Sequence, residues 1–392
     1  MERHRRPKPG PGTFSVEAAA AFRAVAAADD PWLLGYYPAF HTNPYQALLY
    51  GAAWEHGIAP VRMFRAAQLD ELAALQRSGL PTVLHLHWLH LVQRDAISDG
   101  DARSLGRAFL ASLDAYRAEG GRVVWTVHNI LPHETRYEAA EIALVNGVIE
   151  RSDVVHVLTA GTPELVAPWY SIPADKVLHV PHPSYRGAYA DFVSRQDARH
   201  ELGLGGDELV FLALGAIRPY KGLDELLDAW RESRPVGPAR LVIAGDPADR
   251  PGIEELMERA AVEPTVLVDA RQIPPDEMQH FLRAADVAVL PYRRALNSGA
   301  LMLALTFGLP VIVPGDGGLA EIVEPSFAAT FTPGDAGSLA AALRRAPELA
   351  TDDACAAAAA VAARHDPREL SSRFAAELRA RLAAAPAAAT RA

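Results

Sequence analysis

Arg218 and Lys221 stand three positions apart in the run LGAIRPYKG, Leu214 to Gly222, just beyond an apolar stretch that reads as a buried strand. A guanidinium offers a planar fork of donors and an ammonium a compact charge, so the pair suits two adjacent phosphate groups. A solvated turn has the same letters. Only three lysines occur in the chain, Lys8, Lys176 and Lys221, which sets the one in this run apart from its background. Further on, Asn297, Ser298 and Gly299 lead straight into an apolar helical segment. The first backbone N–H groups of a helix have no partner within it, so a diphosphate can accept them, with Ser298 adding a hydroxyl bond and Gly299 allowing close approach. The alternative is that Asn297 or Ser298 simply caps the helix. In PGDGGLAEIV, Pro314 to Val323, Glu321 can accept from a pair of vicinal hydroxyls, or can decorate a helix.

A second set of candidates lies in the first half. LHLHWLH puts His85 and His87 on one side of a strand, because strand side chains alternate with period two. Trp88 either stacks on a ligand or fills the core. TVHNILPHE ends a strand at His128, with Asn129 next and His133 and Glu134 one turn on. His128 is the leading candidate for a catalytic face; Asn129, His133 and His182 rank below it. His-x-His also raises a metal-dependent hydrolase, with His128 and Asp153 as conceivable further ligands, but no compact ligand motif accompanies them. The DxD spacing of Asp99 and Asp101 reads as a solvated loop.

Short apolar runs alternating with helix-like segments must position these residues. PWLLGYYP, the GIAPVRMF region, LPTVLHLHW, GRVVWTVHN, SDVVHVLT and KVLHVPHP read as strands of a first sheet. ELVFLALG, ARLVIAG, PTVLVDA, DVAVLPY and LPVIVPG read as strands of a second. Nearly continuous hydrophobicity in strands separated by amphipathic helices implies parallel sheets covered on both faces, hence an α/β chain of two Rossmann-like domains facing across a cleft. The expected organisation is a flexible basic tail at 1–13, a first domain at 14–184, a linker at 185–204, a second domain at 205–365, and a crossing helix and tail at 366–392. The arginines of that last helix are expected to be solvated.

The composition, half apolar and 22% charged, is that of a globular chain, and its length allows two cores. A net charge of -10 argues against general attraction to nucleic acid, and no folded basic aromatic stripe is present. The single cysteine, Cys355, cannot form an intrachain bridge, which fits a cytoplasmic protein. The basic tail, with Arg3, Arg5, Arg6 and Lys8, offers weak peripheral contact with the inner membrane face, and no apolar run is long enough to span a bilayer.

Arg218-Pro219-Tyr220-Lys221-Gly222, the AGD at Ala244 to Asp246, AADVAVLPY at Ala284 to Tyr292 and Leu309-Pro310-Val311-Ile312 together resemble nucleotide-sugar-dependent glycosyltransferases with the GT-B fold, in particular the large retaining group. The resemblance covers most of 205–365 and is thinner before it. It implies that Arg218 and Lys221 bind the donor diphosphate, that Ile273, with Arg271 and Gln272, lies where the nucleotide base stacks, and that His128 faces the donor sugar. It further implies a nucleoside-diphosphate sugar as donor cosubstrate, a glycan, glycolipid or small-molecule acceptor on the first domain, no cofactor or metal, and no defined protein partner. One departure stands out. The retaining group carries two glutamates eight positions apart around its phosphate-binding helix start, and Ala295 and Leu303 occupy those places here. Metal-independent, retaining transfer is the expectation, with inverting transfer by His128 or Glu134 as base, or nucleotide-sugar binding without catalysis, as alternatives. A phosphorylase of the same fold lacks a lysine suited to hold pyridoxal phosphate, since the second half has Lys221 alone.

Overall fold

The computed structural model describes residues 13–41, 43–131, 136–233, 237–247 and 252–384. They form two compact units, the first holding the described residues up to Val180 and from Arg368 onward, the second Pro181–Pro367.

In the first unit, β1 (Trp32–Tyr37), β2 (Ile58–Arg62), β3 (Thr82–Leu86), β4 (Arg122–Val127), β5 (Val154–Val157) and β6 (Val177–His179) form one parallel sheet in the order β2-β1-β3-β4-β5-β6. Every residue of β3 and β5 is buried, as a strand covered on both faces requires. The strand order reverses between β1 and β3, so the loops leaving these strands flank the switch point where such sheets gather ligands. The last described helix, Pro367–Ala384, returns to this unit and buries Leu370, Phe374 and Leu378 against Leu34, Val83, Val124 and Leu178. Ser371 ties it down: its hydroxyl accepts from the Ala52 N–H at 2.8 Å and donates to the Leu49 carbonyl at 2.7 Å.

The arginines of that helix are not merely solvated. Arg379 lies over the Trp32 ring and donates to the His56 and Asp30 carbonyls, while Arg373 and Arg381 donate to the His179 and Asp175 carbonyls. Periodicity marks these positions as the outer face, yet the long side chains fold back along the surface to satisfy loop carbonyls.

In the second unit, β7 (Leu209–Leu214), β8 (Ala239–Ala244), β9 (Val266–Asp269), β10 (Val287–Val289), β11 (Val311–Pro314) and β12 (Ala328–Phe331) form another parallel sheet in the order β12-β11-β10-β7-β8-β9. Its switch point lies between β7 and β10. Sequence patterning missed β12: two alanines inside a four-residue edge strand carry too little hydrophobicity to register. The stretch 185–204 lies within this unit and includes the helix Arg195–Glu201, whose Arg199 is buried on Asp286 at 2.8 Å. Among the described residues, no helix is long and apolar enough to cross a membrane.

Candidate functional site

In the second unit β7 ends at Leu214, and Gly215 turns the chain with φ +124°. Pro219–Lys221 then forms one 3-10 turn, closed by Gly222 at φ +66°. Neither glycine is replaceable without strain. A Cβ on Gly222 would lie 2.1 Å from the Pro291 carbonyl oxygen, and one on Gly215 would lie 2.8 Å from the Lys221 Nζ. The lysine head therefore folds back over the end of β7, 5.6 Å from the centre of the Tyr292 ring. Among the described residues Arg218, half-buried, donates only a long 3.4 Å bond to its neighbouring Ile217 carbonyl, a weak restraint on a strong donor. Arg293, in the loop after β10, bridges to Asp224 at 2.5 Å and Glu225 at 2.7 Å and donates to the Pro219 carbonyl, fastening the turn to the switch point.

The helix Gly299–Thr306 follows the loop after β10. Ser298 is 6% exposed and its hydroxyl accepts from the Leu301 N–H at 3.1 Å, so it caps the helix. The freedom at Gly299 serves a side chain: a Cβ there would sit 2.6 Å from the Tyr185 hydroxyl and 3.8 Å from the His182 Nε2. His182 donates through Nδ1 to the Pro183 carbonyl at 2.7 Å, and burial pushes its pKa down to about 4, so it is uncharged at neutral pH. Asn297 precedes the cap and is half-buried, and Glu321 lies exposed beyond β11 in the turn that follows Gly317–Leu319. That turn packs on the loop after β10, with the Gly318 N–H on the Ala295 carbonyl at 3.4 Å. Ile273 follows β9 and is buried, while Arg271 is held by Asp269 and Glu277. Arg218, Lys221, Asn297, Ser298, Gly299, Glu321 and Ile273 thus all follow the C-terminal ends of strands in one parallel sheet.

In the first unit His128 follows β4 directly and is 7% exposed. Trp88 stacks on its ring at 4.1 Å and 15°, and Tyr45 meets it edge-on at 5.1 Å. Trp88 is thus a wall for His128. The His128 Nε2 lies 2.9 Å from the His87 Nδ1. His87 and His85 do share a face, and both are bound through the Tyr50 hydroxyl, at 2.8 and 2.7 Å. Burial, followed by the neighbouring histidines, holds His85 and His87 well below the usual imidazole pKa. Among the described residues, no group of three or more His, Cys, Asp or Glu is arranged to hold a metal ion. Asp153 is committed elsewhere, to Arg122 at 3.1 Å and the Val123 N–H at 2.8 Å. Asp99 and Asp101 begin the helix Asp99–Ala118 after the Ser98 cap, with Asp99 on Arg103. His133 and Glu134 lie outside the described residues.

Sequence reading overlooked Glu141. It sits within the helix Glu138–Arg151 at 7% exposure and lines a cavity of about 30 Å³ with His87, Trp88, His90, His128 and Asn129. Among the described residues its Oε2 has no hydrogen-bond partner, and burial pushes its pKa up to about 7. A glutamate in the first turn of an amphipathic helix looks like an ordinary response to the helix dipole, which hides it. Tyr185, covering the Gly299 helix start, was also overlooked, because it falls in a stretch without clear periodicity.

Comparison with known proteins fits this arrangement. Residues 194–360 match the family "Glycosyl transferases group 1". The chain is 30% identical over 295 residues to a GDP-mannose:glycolipid 4-beta-D-mannosyltransferase of Xanthomonas campestris pv. campestris, spanning 73% of this chain and 74% of that one. It is 27% identical over 262 residues to a D-inositol 3-phosphate glycosyltransferase of Acidothermus cellulolyticus, over 64% of this chain and 50% of that one. In fold it is similar to sucrose-phosphate synthase of Thermosynechococcus elongatus, with TM-score 0.68 and 17% identity over 91% of this chain and all of that one. Anabaena HepE in complex with UDP and glucose gives TM-score 0.65 and 15% identity over 89% of this chain and all of the other. Two Rossmann-like sheets, the matched second half and a relative alike over most of both chains lead to one assignment: this chain belongs to the group 1 glycosyl transferases and is a nucleotide-sugar-dependent glycosyltransferase of GT-B fold.

Proposed function

We propose that the protein transfers a hexosyl group, with inversion at the anomeric carbon, from a nucleoside-diphosphate sugar to a hydroxyl of a glycolipid acceptor. The observation that carries this reading is His128, held at the end of β4 by Trp88 and by His87 on its Nε2. Inversion is a single displacement. The acceptor oxygen bonds to the anomeric carbon as the bond from that carbon to the diphosphate oxygen breaks. The acceptor proton passes to a base, for which His128 is the candidate. Arg218 and Lys221 hold the diphosphate and neutralise the charge it gains on leaving, so the charge stabilisation needs no metal ion. Asn297, Ser298 and Gly299 border that diphosphate, Glu321 accepts from a donor hydroxyl, and Ile273 packs on the base.

Two features favour inversion over the retaining course that the family resemblance suggests. The positions of the retaining group's glutamates hold Ala295 and Leu303, and Leu303 is buried. The Xanthomonas relative is named for a β-linked product from GDP-mannose. Common sugar nucleotides, GDP-mannose among them, carry the sugar α-linked, and a β product from an α-linked donor requires inversion.

The test is transfer from GDP-mannose and UDP-glucose to a synthetic glycolipid, with the product anomer read by NMR. A β linkage from an α-linked donor is expected, undiminished by chelator; an α linkage overturns the inverting reading. Arg218→Ala and Lys221→Ala should each lower kcat by about 10²- to 10³-fold in folded protein. Near-normal turnover in either removes that residue from the diphosphate site.

A further inference from the structure

Behind His128 hydrogen bonds continue as a buried file through the first unit. It ends at the Val180 carbonyl, which can only accept, so His156 must donate to it through Nε2, at 2.9 Å. A neutral imidazole has one donor and one acceptor nitrogen, so the direction of every other link follows from this end. His156 Nδ1 accepts from the Thr126 hydroxyl at 2.9 Å, and the Thr126 oxygen accepts from His85 Nε2 at 2.7 Å. His85 Nδ1 accepts from the Tyr50 hydroxyl at 2.7 Å, and the Tyr50 oxygen accepts from His87 Nε2 at 2.8 Å. His87 Nδ1 is left as an acceptor, and the group before it is His128 Nε2, at 2.9 Å.

We infer that this file, anchored at the Val180 carbonyl, fixes His128 in the tautomer with its proton on Nε2 and its lone pair on Nδ1. Tyr50, Thr126, His85, His87 and His156 are then positioning residues for His128. The opposite polarity would set two acceptors face to face at the Val180 end, where no water can relieve them: His85, Thr126 and His156 are all 0% exposed. Burial keeps His85 and His87 uncharged, which preserves one N–H per ring. A carbonyl terminus also means that the file cannot carry a proton away, so it orients without draining. With His128 as base, the proton taken from a substrate hydroxyl would go to Nδ1, the nitrogen that does not face His87. This last step rests on the proposed role of His128 as base; the tautomer does not.

Nitrogen NMR of the full chain carrying isotope-labelled histidine reads the tautomer directly, with His128→Asn identifying the resonances by their loss. In the native protein, Nε2 of His128 should show the protonated signature and Nδ1 the bare one. Thr126→Val removes the central hydroxyl at nearly equal volume, so His128 should shift to a mixture of tautomers. In the same variant kcat should fall roughly tenfold with the donor KM unchanged, and Thr126→Ser should restore both readouts. A protonated Nδ1 in the native protein overturns the inference without recourse to any variant. So does a His128 tautomer that is unmoved in folded Thr126→Val. If the tautomer follows the expectation while kcat does not respond, the file stands and the base role of His128 falls.

Discussion

Glu141 and His128 line one small cavity, and they reach it by opposite routes. His128 ends a strand, where a polar residue after an apolar run is visible in the sequence. Glu141 is carried in on a helix and is betrayed only by burial. A carboxyl whose folded pKa is raised from 4.5 to about 7 binds its proton more tightly in the native state than in the unfolded one. The native state is therefore favoured below about pH 4.5, and this contribution is lost as pH rises towards 7. Glu141→Gln stays uncharged at every pH, so it should lack that loss. Urea unfolding at pH 5 and pH 8 is expected to show wild type losing roughly 1–3 kcal/mol more than the variant between these values. Equal losses in the two proteins would mean that the native carboxyl finds a partner for its charge. The same group bears on function: a carboxyl half-protonated near neutrality beside His128 can accept from or donate to an acceptor hydroxyl. Glu141→Gln should therefore also change the pH profile of kcat/KM for the acceptor and leave that for the donor unaltered.

At the scale of elements, the turn after β7 owes its shape to the loop after β10. Arg293 reaches Asp224, Glu225 and the Pro219 carbonyl, and Gly222 lies against the Pro291 carbonyl. These contacts fix the turn that carries Arg218 and Lys221, the residues proposed to hold the diphosphate. The ion pairs are partly exposed and contribute little to global stability. Arg293→Ala should accordingly leave the unfolding midpoint within the change expected of a surface substitution, yet raise the donor KM by about three- to tenfold as the turn loosens. An unchanged KM would show that the turn holds itself. Much of this element was legible: the glycines, the arginine and the lysine stand in the sequence, and the strand before them is a plain apolar run. The role of Gly299 was not legible, because the letters permit a phosphate and a tyrosine alike. Only the fold brings Tyr185, more than a hundred residues earlier, to that helix start. The hydrogen-bond file behind His128 was hidden for the same reason. His85 and His87 announce a shared face, but Tyr50, Thr126 and His156 join them from three other segments, and no local spacing predicts that.

At the scale of the whole chain, the two halves differ in how they are closed. The second unit is continuous in sequence, whereas the first is completed by the helix Pro367–Ala384, added after the entire second unit. That helix supplies Leu370, Phe374 and Leu378 to the first core, and Phe374 lies against the buried file itself, stacked on His85 at 5.5 Å and tilted on His156 at 4.9 Å. Removing its ring opens a cavity beside both histidines. Phe374→Ala should cost about 3–5 kcal/mol, as truncations of buried aromatics do. The loss should be confined to one unit, because the second has a separate core of its own around Phe211, Trp230 and Leu241. Native-state hydrogen exchange distinguishes the cases: amides of β3, β4 and β5 should lose protection in Phe374→Ala while those of β7 and β8 keep theirs. A uniform loss across both sheets would mean that the units unfold as one, and the final helix would then stabilise the whole chain rather than the unit that it completes.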